Sequence, residues 1–181
     1  AMGGRMSNNG QICCAPKRFL IHKDVKAAFT QELVKRVSAL RRGDPADPDS
    51  QISCLISEKA AQEVERQVAH TIAQGATLLC GGKREGSYYA PTILTDVTPD
   101  MDIAKNLEIF GPVVPIIEIS NLDEALRIAN DSDYGLGASI FTADMKKAVK
   151  AAKALQAGGV VINGSSYFST VEMAFGGYKH S

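Results

Sequence analysis

Apolar residues recur along this chain with two different spacings, and the switches between them outline its elements. Residues 18–22 contain the continuous run Phe19-Leu20-Ile21, the signature of a short strand buried on both faces. Beyond it Val25, Phe29, Leu33, Val37 and Leu40 fall at intervals of three and four, which predicts one apolar face of a helix. Asp24 is the expected N-cap and Gly43 the expected stop, followed by the turn-rich Asp44-Pro45-Ala46-Asp47-Pro48-Asp49. A second helix is expected from about Ser57, with Val64, Val68 and Ile72 on one face and Gly75 at its end. Residues 77–80 then read as a short strand, 81–86 as a flexible glycine-rich turn, and 90–94 as an extended segment.

The second half repeats the alternation. Residues 114–119 form an apolar, β-branched strand. Asn121 and Glu124 stand three apart in a capping-box pattern that opens a helix to about Asn130. A strand is expected over 137–141, a helix over 143–156, and a last strand over 159–163. Strands alternating with helices predict an α/β fold, a largely parallel sheet flanked by helices. No repeat, low-complexity tract or internal linker interrupts it, so the whole of residues 1–181 reads as one domain, long enough to bury a substantial core.

Composition changes this picture little. Hydrophobic residues make up 45% and charged residues 22%, with a formal net charge of +0. That balance points away from nucleic acid and from anionic membrane surfaces as partners. No apolar run approaches the ~20 residues of a membrane span, and the first residues lack a signal-peptide pattern. The cysteines stand at 13, 14, 54 and 80 without a Cys-x-x-Cys pair, and His22, His70 and His180 are scattered. Neither a metal site nor a disulfide framework is expected from that spacing. Reduced thiols in a cytoplasmic protein are the simplest expectation.

Chemistry concentrates at Asn8-Asn9-Gly10-Gln11-Ile12-Cys13-Cys14-Ala15-Pro16-Lys17-Arg18. A cysteine after a polar, glycine-containing turn is either a buried structural residue or a nucleophile. The second follows if it begins a helix, where unpaired N–H groups and the dipole favour a thiolate. The order of residues, Asn-x-Gly-Gln-x-Cys with Arg five positions on, resembles the active-site signature of the aldehyde dehydrogenase superfamily. Further segments match that family in order. They are Glu108-Ile109-Phe110-Gly111-Pro112, Asn130 through Tyr134-Gly135-Leu136, Val161-Ile162-Asn163, and Phe175-Gly176-Gly177-Tyr178-Lys179-His180-Ser181. Within the family the succinate-semialdehyde dehydrogenase group gives the nearest impression.

The resemblance implies a reaction that oxidises an aldehyde to a carboxylic acid with NAD or NADP. Cys13 is implied as the thiol, because the family cysteine lies two residues after the Gln. Glu108 is implied to bind the nicotinamide ribose, where a carboxylate suits two vicinal hydroxyls, and Phe110 to pack beside the nicotinamide. Phe168 and Ser169 fall in the loop implied to hold the substrate, with Ser169-Thr170-Val171-Glu172 resembling the succinate-semialdehyde group. The chain lacks a strand, Gly-rich turn and helix able to hold a pyrophosphate, since Gly81-Gly82 and Gly176-Gly177 lack that context. The resemblance therefore implies a catalytic domain alone. On that resemblance the dinucleotide-binding domain and C-terminal segment are expected to be absent, the fragment is expected to be inactive by itself, and the parent enzyme is expected to be a homo-oligomer.

Some positions depart from the family. Ala174 replaces the usual Pro, and Ser7 stands where many such enzymes carry Arg. Arg5, two positions away, faces the same side if that segment is a strand. Cys14 is either a passive neighbour or a thiol that captures an oxidised Cys13. A non-enzymatic binding domain or a thiol-based redox sensor on the same fold is the competing class, because function lives in the site rather than the fold.

Overall fold

The computed structural model describes residues 1–167, 171–172 and 174–181. Its helices are α1 (Met2–Arg5), α2 (Lys23–Ser38), α3 (Glu58–Ala73), α4 (Leu122–Asn130) and α5 (Met145–Ala154). Its strands are β1 (Phe19–His22), β2 (Thr77–Cys80), β3 (Arg84–Glu85), β4 (Tyr88–Tyr89), β5 (Thr92–Thr95) and β6 (Val113–Ile119). They continue with β7 (Tyr134–Gly135), β8 (Gly137–Ile140), β9 (Gly159–Ile162) and β10 (Tyr178–Lys179).

The main sheet runs β1-β6-β5-β2. β1 and β5 flank β6 in parallel, with Phe19 opposite Ile116 and Thr92 opposite Val113, while β2 closes the edge antiparallel to β5. Side chains of β6 alternate between two cores. Val113, Ile117 and Ile119 face Val64 and Val68 of α3 and Ile128 of α4. Val114 and Ile116 face Leu33 and Val37 of α2. A sheet covered on both faces explains why 114–119 reads as a near-continuous apolar run rather than an alternating one. A second parallel pair, β8 with β9, stands apart from this sheet.

Helix ends show where side-chain chemistry took over. Ser57 Oγ accepts from Ala60 N (3.1 Å) at the start of α3, and Gly75, at φ +115°, closes that helix as expected. Asn121 Oδ1 accepts from Glu124 N (2.9 Å), while the Glu124 carboxylate accepts from Ser120 N (2.7 Å), one residue before the N-cap, a close variant of the capping box. Two expectations fail around α2. Its cap is His22, whose Nδ1 receives Asp24 N (3.3 Å), because the helix starts directly at the end of β1 with no loop between. It also ends at Ser38 rather than near Gly43. Residues 40–43 are drawn off by the 51–52 segment, with Gln51 N and Ile52 N donating to Arg41 O and Gly43 N to Ile52 O. Val25 is accordingly exposed (55%) and not part of the core face. The turn expected at 81–86 contains β3, which pairs with β4 in a hairpin that reverses at Gly86 (φ +58°).

A cleft of about 2150 Å³ opens between β1, the β8 strand and the helices α4 and α5. Cys13, Cys14, Lys17 and Glu108 lie on its wall. No helix among the described residues is long and apolar enough to cross a membrane.

Candidate active site

The segment leading to the thiols is moored by its polar residues. Asn8 and Asn9 take left-handed backbone angles (φ 46° and 54°), a conformation asparagine tolerates better than most residues. Asn9 Oδ1 accepts from Ser53 N (3.0 Å) and its Nδ2 donates to Cys54 O (2.9 Å). Gln11 Oε1 accepts from Ile56 N (2.9 Å). Gly10, at φ +75°, lies so close to the 108–112 loop that a Cβ there would sit 2.2 Å from Gly111 O. The backbone of the thiol segment therefore rests directly on that of the loop.

Cys13 and Cys14 occupy a turn closed by Ala15 N donating to Ile12 O (3.1 Å). The expected helix start is not there. Pro16 disfavours helical backbone just before it, and the chain must extend to enter β1 at Phe19. A helix dipole therefore has no part in the setting of Cys13. Cys13 is exposed, Cys14 is half-buried, neither is in a disulfide, and their Sγ atoms lie 3.8 Å apart. Burial, with the contact to Cys13 adding to it, pushes the Cys14 thiol pKa up. The loop expected at the substrate mouth reaches this turn, with Ser166 Oγ donating to Cys14 O (3.3 Å). Phe168 and Ser169 lie outside the described residues.

Glu108 and Phe110 come to the same place through Lys17. Its Nζ donates to Ile12 O (2.9 Å), pairs with Glu108 Oε1 (3.2 Å) and sits 4.2 Å from the centroid of the Phe110 ring. Burial first, and then the Arg5 charge, lower the Lys17 pKa, with Glu108 and Cys13 opposing the shift. Arg5 anchors both ends of the loop from below. Its Nη2 donates to Ile109 O (2.5 Å) and its Nε to Val113 O (2.7 Å). At 1% exposure it is desolvated enough to bring its pKa down to about 10. It belongs to a helix, α1, and not to a strand; its Nε and Nη2 are spent on backbone carbonyls, and its Nη1 is buried with no hydrogen-bond partner among the described residues. Arg5 thus does not replace the missing cation at Ser7. Arg18 donates to Ala104 O (3.1 Å) and, at the end of α4, to Ile128 O and Ala129 O (2.9 and 2.8 Å).

The structure thus brings Cys13, Glu108 and Phe110 together. Sequence reading weighs Arg5 only as a stand-in for the cation at position 7 and does not single out Lys17. The period-two alternation entering β1 separates Lys17 from Arg18 and is the one signal that would have singled Lys17 out. Among the described residues, no three His, Cys, Asp or Glu side chains gather where a metal ion could bind.

A thiol turn against a carboxylate-bearing loop, on a doubly covered, mostly parallel sheet, defines a thiol-bearing α/β domain. The model of the aldehyde dehydrogenase family matches residues 1–181. This chain belongs to that family. It is 46% identical over 180 residues to a lactaldehyde dehydrogenase of Methanococcus aeolicus, covering 99% of this chain and 38% of that one. It is 42% identical over 184 residues to succinate-semialdehyde dehydrogenase [NADP(+)] 1 of Mycobacterium tuberculosis, covering 100% of this chain and 40% of that one. Among solved structures, aldehyde dehydrogenase 21 of Physcomitrella patens, in complex with the reaction product succinate, superposes with a TM-score of 0.94 at 34% identity. That match covers 98% of this chain and 37% of the moss protein. Glyceraldehyde-3-phosphate dehydrogenase of Methanocaldococcus jannaschii, complexed with NADP, gives a TM-score of 0.94 at 38% identity, covering 98% of this chain and 38% of that one. The chain therefore spans about two-fifths of the length of the relatives it matches.

Proposed function

We propose that this chain is the catalytic domain of a nicotinamide-dependent aldehyde dehydrogenase, with Cys13 as its nucleophile. The observation that carries the reading is the convergence of an exposed thiol with Glu108 and Phe110 across the Gly10–Gly111 contact. The Cys13 thiolate adds to the aldehyde carbon to give a thiohemiacetal, and water later cleaves the thioester to free the acid. When bound, a nicotinamide supplies the acceptor for the substrate hydride between those two steps. The residues fit such a group. The Glu108 side chain is 42% exposed, and Lys17 engages Oε1, which leaves carboxylate acceptor capacity that suits ribose hydroxyls. Phe110 offers an exposed aromatic edge beside it. A dinucleotide-binding domain elsewhere in a longer polypeptide completes the cofactor site.

Small aldehydes are the proposed substrates, with succinate semialdehyde and lactaldehyde first among them because relatives act on these by name. With Arg5 Nε and Nη2 committed to backbone carbonyls, we assign the distal carboxylate to loop hydroxyls, and on the family resemblance alone Ser169 and Phe168 are the proposed substrate contacts. The complete reading frame containing this chain is to be assayed for nicotinamide reduction with both aldehydes, alongside aliphatic and aromatic ones. Turnover that disappears in Cys13→Ala supports the reading. Absence of reduction with every aldehyde, in a folded protein, overturns it.

A further inference from the structure

We propose that Lys17 is a positioning residue that fixes the Glu108 carboxylate to the thiol turn, so that the cofactor-binding carboxylate and the nucleophile move as one unit. The inference rests on the reading of Cys13 and Glu108 given above.

The geometry is specific to one ammonium group. Lys17 Nζ holds the carbonyl of Ile12, the residue before Cys13, at 2.9 Å. The same atom holds Glu108 Oε1 at 3.2 Å and covers the Phe110 ring at 4.2 Å. Nucleophile turn, ribose-binding carboxylate and aromatic wall are therefore joined through a single nitrogen. The neighbouring cations cannot take over this task. Arg5 is buried on the carbonyls of Ile109 and Val113, and Arg18 on the end of α4.

A glutamate on an exposed loop samples several rotamers, and a ligand that needs one of them bears the ordering cost on binding. Lys17 removes part of that cost beforehand by fixing Oε1, which leaves Oε2 directed to the ligand. The lysine side chain is only 20% exposed, so its charge is screened less than that of a surface pair. Glu108 is exposed enough to limit the gain. The expected effect is roughly three- to tenfold in cofactor affinity.

The test uses the complete reading frame with the variants Lys17→Met, Lys17→Arg, Glu108→Gln and the Lys17→Met/Glu108→Gln pair. Met keeps the apolar stem over Phe110 while removing the charge. Binding of NADH and of NADPH is read by their fluorescence, cofactor KM and kcat by turnover, and the Cys13 environment by its iodoacetamide alkylation rate. Lys17→Met is expected to weaken binding of the preferred dinucleotide three- to tenfold and to raise its KM in step, with a much smaller fall in kcat. Lys17→Arg restores most of the affinity, and Lys17→Met adds nothing in the Glu108→Gln background. A Lys17→Met protein that binds like wild type overturns the inference, as does an equal loss with and without Glu108. Those results leave the proposed function standing if wild type still oxidises an aldehyde. A wild type that neither binds NADH or NADPH nor oxidises any aldehyde removes both.

Discussion

Replacing Gly10 by Ala tests whether the thiol segment is truly seated on the 108–112 loop. Two costs add at this position. At φ +75° an L-residue enters left-handed backbone, which costs about 1–2 kcal/mol. The new Cβ would then lie 2.2 Å from Gly111 O and 2.7 Å from Gly111 C, roughly 1 Å short of ordinary contact with rigid backbone on the far side. Forcing such overlap into a packed region costs about 1–3 kcal/mol more. Gly86 is the natural control, since its φ is +58° but a Cβ there meets nothing within 4 Å. Gly86→Ala should therefore lose only the backbone part. Urea unfolding of both variants, followed by far-ultraviolet circular dichroism, separates the two costs. With a slope of roughly 2 kcal/mol per molar, the Gly10→Ala midpoint should fall about 0.5–1.5 M further than that of Gly86→Ala. The variant should also lose aldehyde turnover beyond its loss of folded protein, because relief of the overlap separates Cys13 from Glu108. Equal midpoints for the two variants would refute the seating and the site geometry built on it.

Three further outcomes are expected. Iodoacetamide should alkylate Cys13 and Cys54, both exposed, before Cys14 and Cys80, whose burial raises their pKa and lowers their thiolate fraction near neutral pH; peptide mass spectrometry gives the order. Asp144 Oδ1 accepts from Lys146 N (2.8 Å) and Lys147 N (3.2 Å), so Asp144→Ala should destabilise α5 by about 1 kcal/mol in the same unfolding assay. The hydrogen bond from His70 Nε2 (2.7 Å) holds the Asp102 pKa below its ordinary carboxylate value. A depressed carboxylate contributes stability that is complete above its unfolded pKa, about 4, and is lost as pH falls through the lower folded value. Asp102→Asn should therefore shrink the drop in urea midpoint between neutral and acid pH, and an unchanged drop would remove this pair from the acid response.

The elements legible in the sequence were those whose signal is local. The Ser57 and Asn121 caps and the Gly75 stop each rest on residues within four positions of one another, the reach of a hydrogen-bonded turn, and the β6 run on seven consecutive residues. What escaped depended on distant segments. Gly43 resembles a helix stop, but the chain had already left α2 to pair with residues 51–52, and periodicity carries no information about that partner. The site divided in the same way. Cys13, Glu108 and Phe110 were named through motif resemblance, whereas the Arg5 bonds to Ile109 and Val113 span 104 and 108 residues and leave no periodic trace. The helix that the polar turn suggests at Cys13 does not form, because Pro16 disfavours helical backbone just before it.

Most polar residues through which the resemblance was recognised turn out to hold backbone. Asn9 ties the thiol segment to Ser53 and Cys54, and Asn163 exchanges bonds with Thr142 through both side-chain atoms. Lys179 Nζ donates to the carbonyls of Asn130 and Ser132 (2.6 Å each), and Ser181 Oγ receives Gly135 N (2.9 Å). Each of these joins segments remote in sequence, and a partner left unpaired where the fold buries it would cost about 1–3 kcal/mol. A close family match therefore measures these latches at least as much as the thiol they frame. The same division makes Cys13→Ala a clean experiment. An exposed side chain that, among the described residues, makes its hydrogen-bond contact with Cys14 Sγ can be truncated without touching a latch, so lost turnover in that variant reports chemistry and not folding.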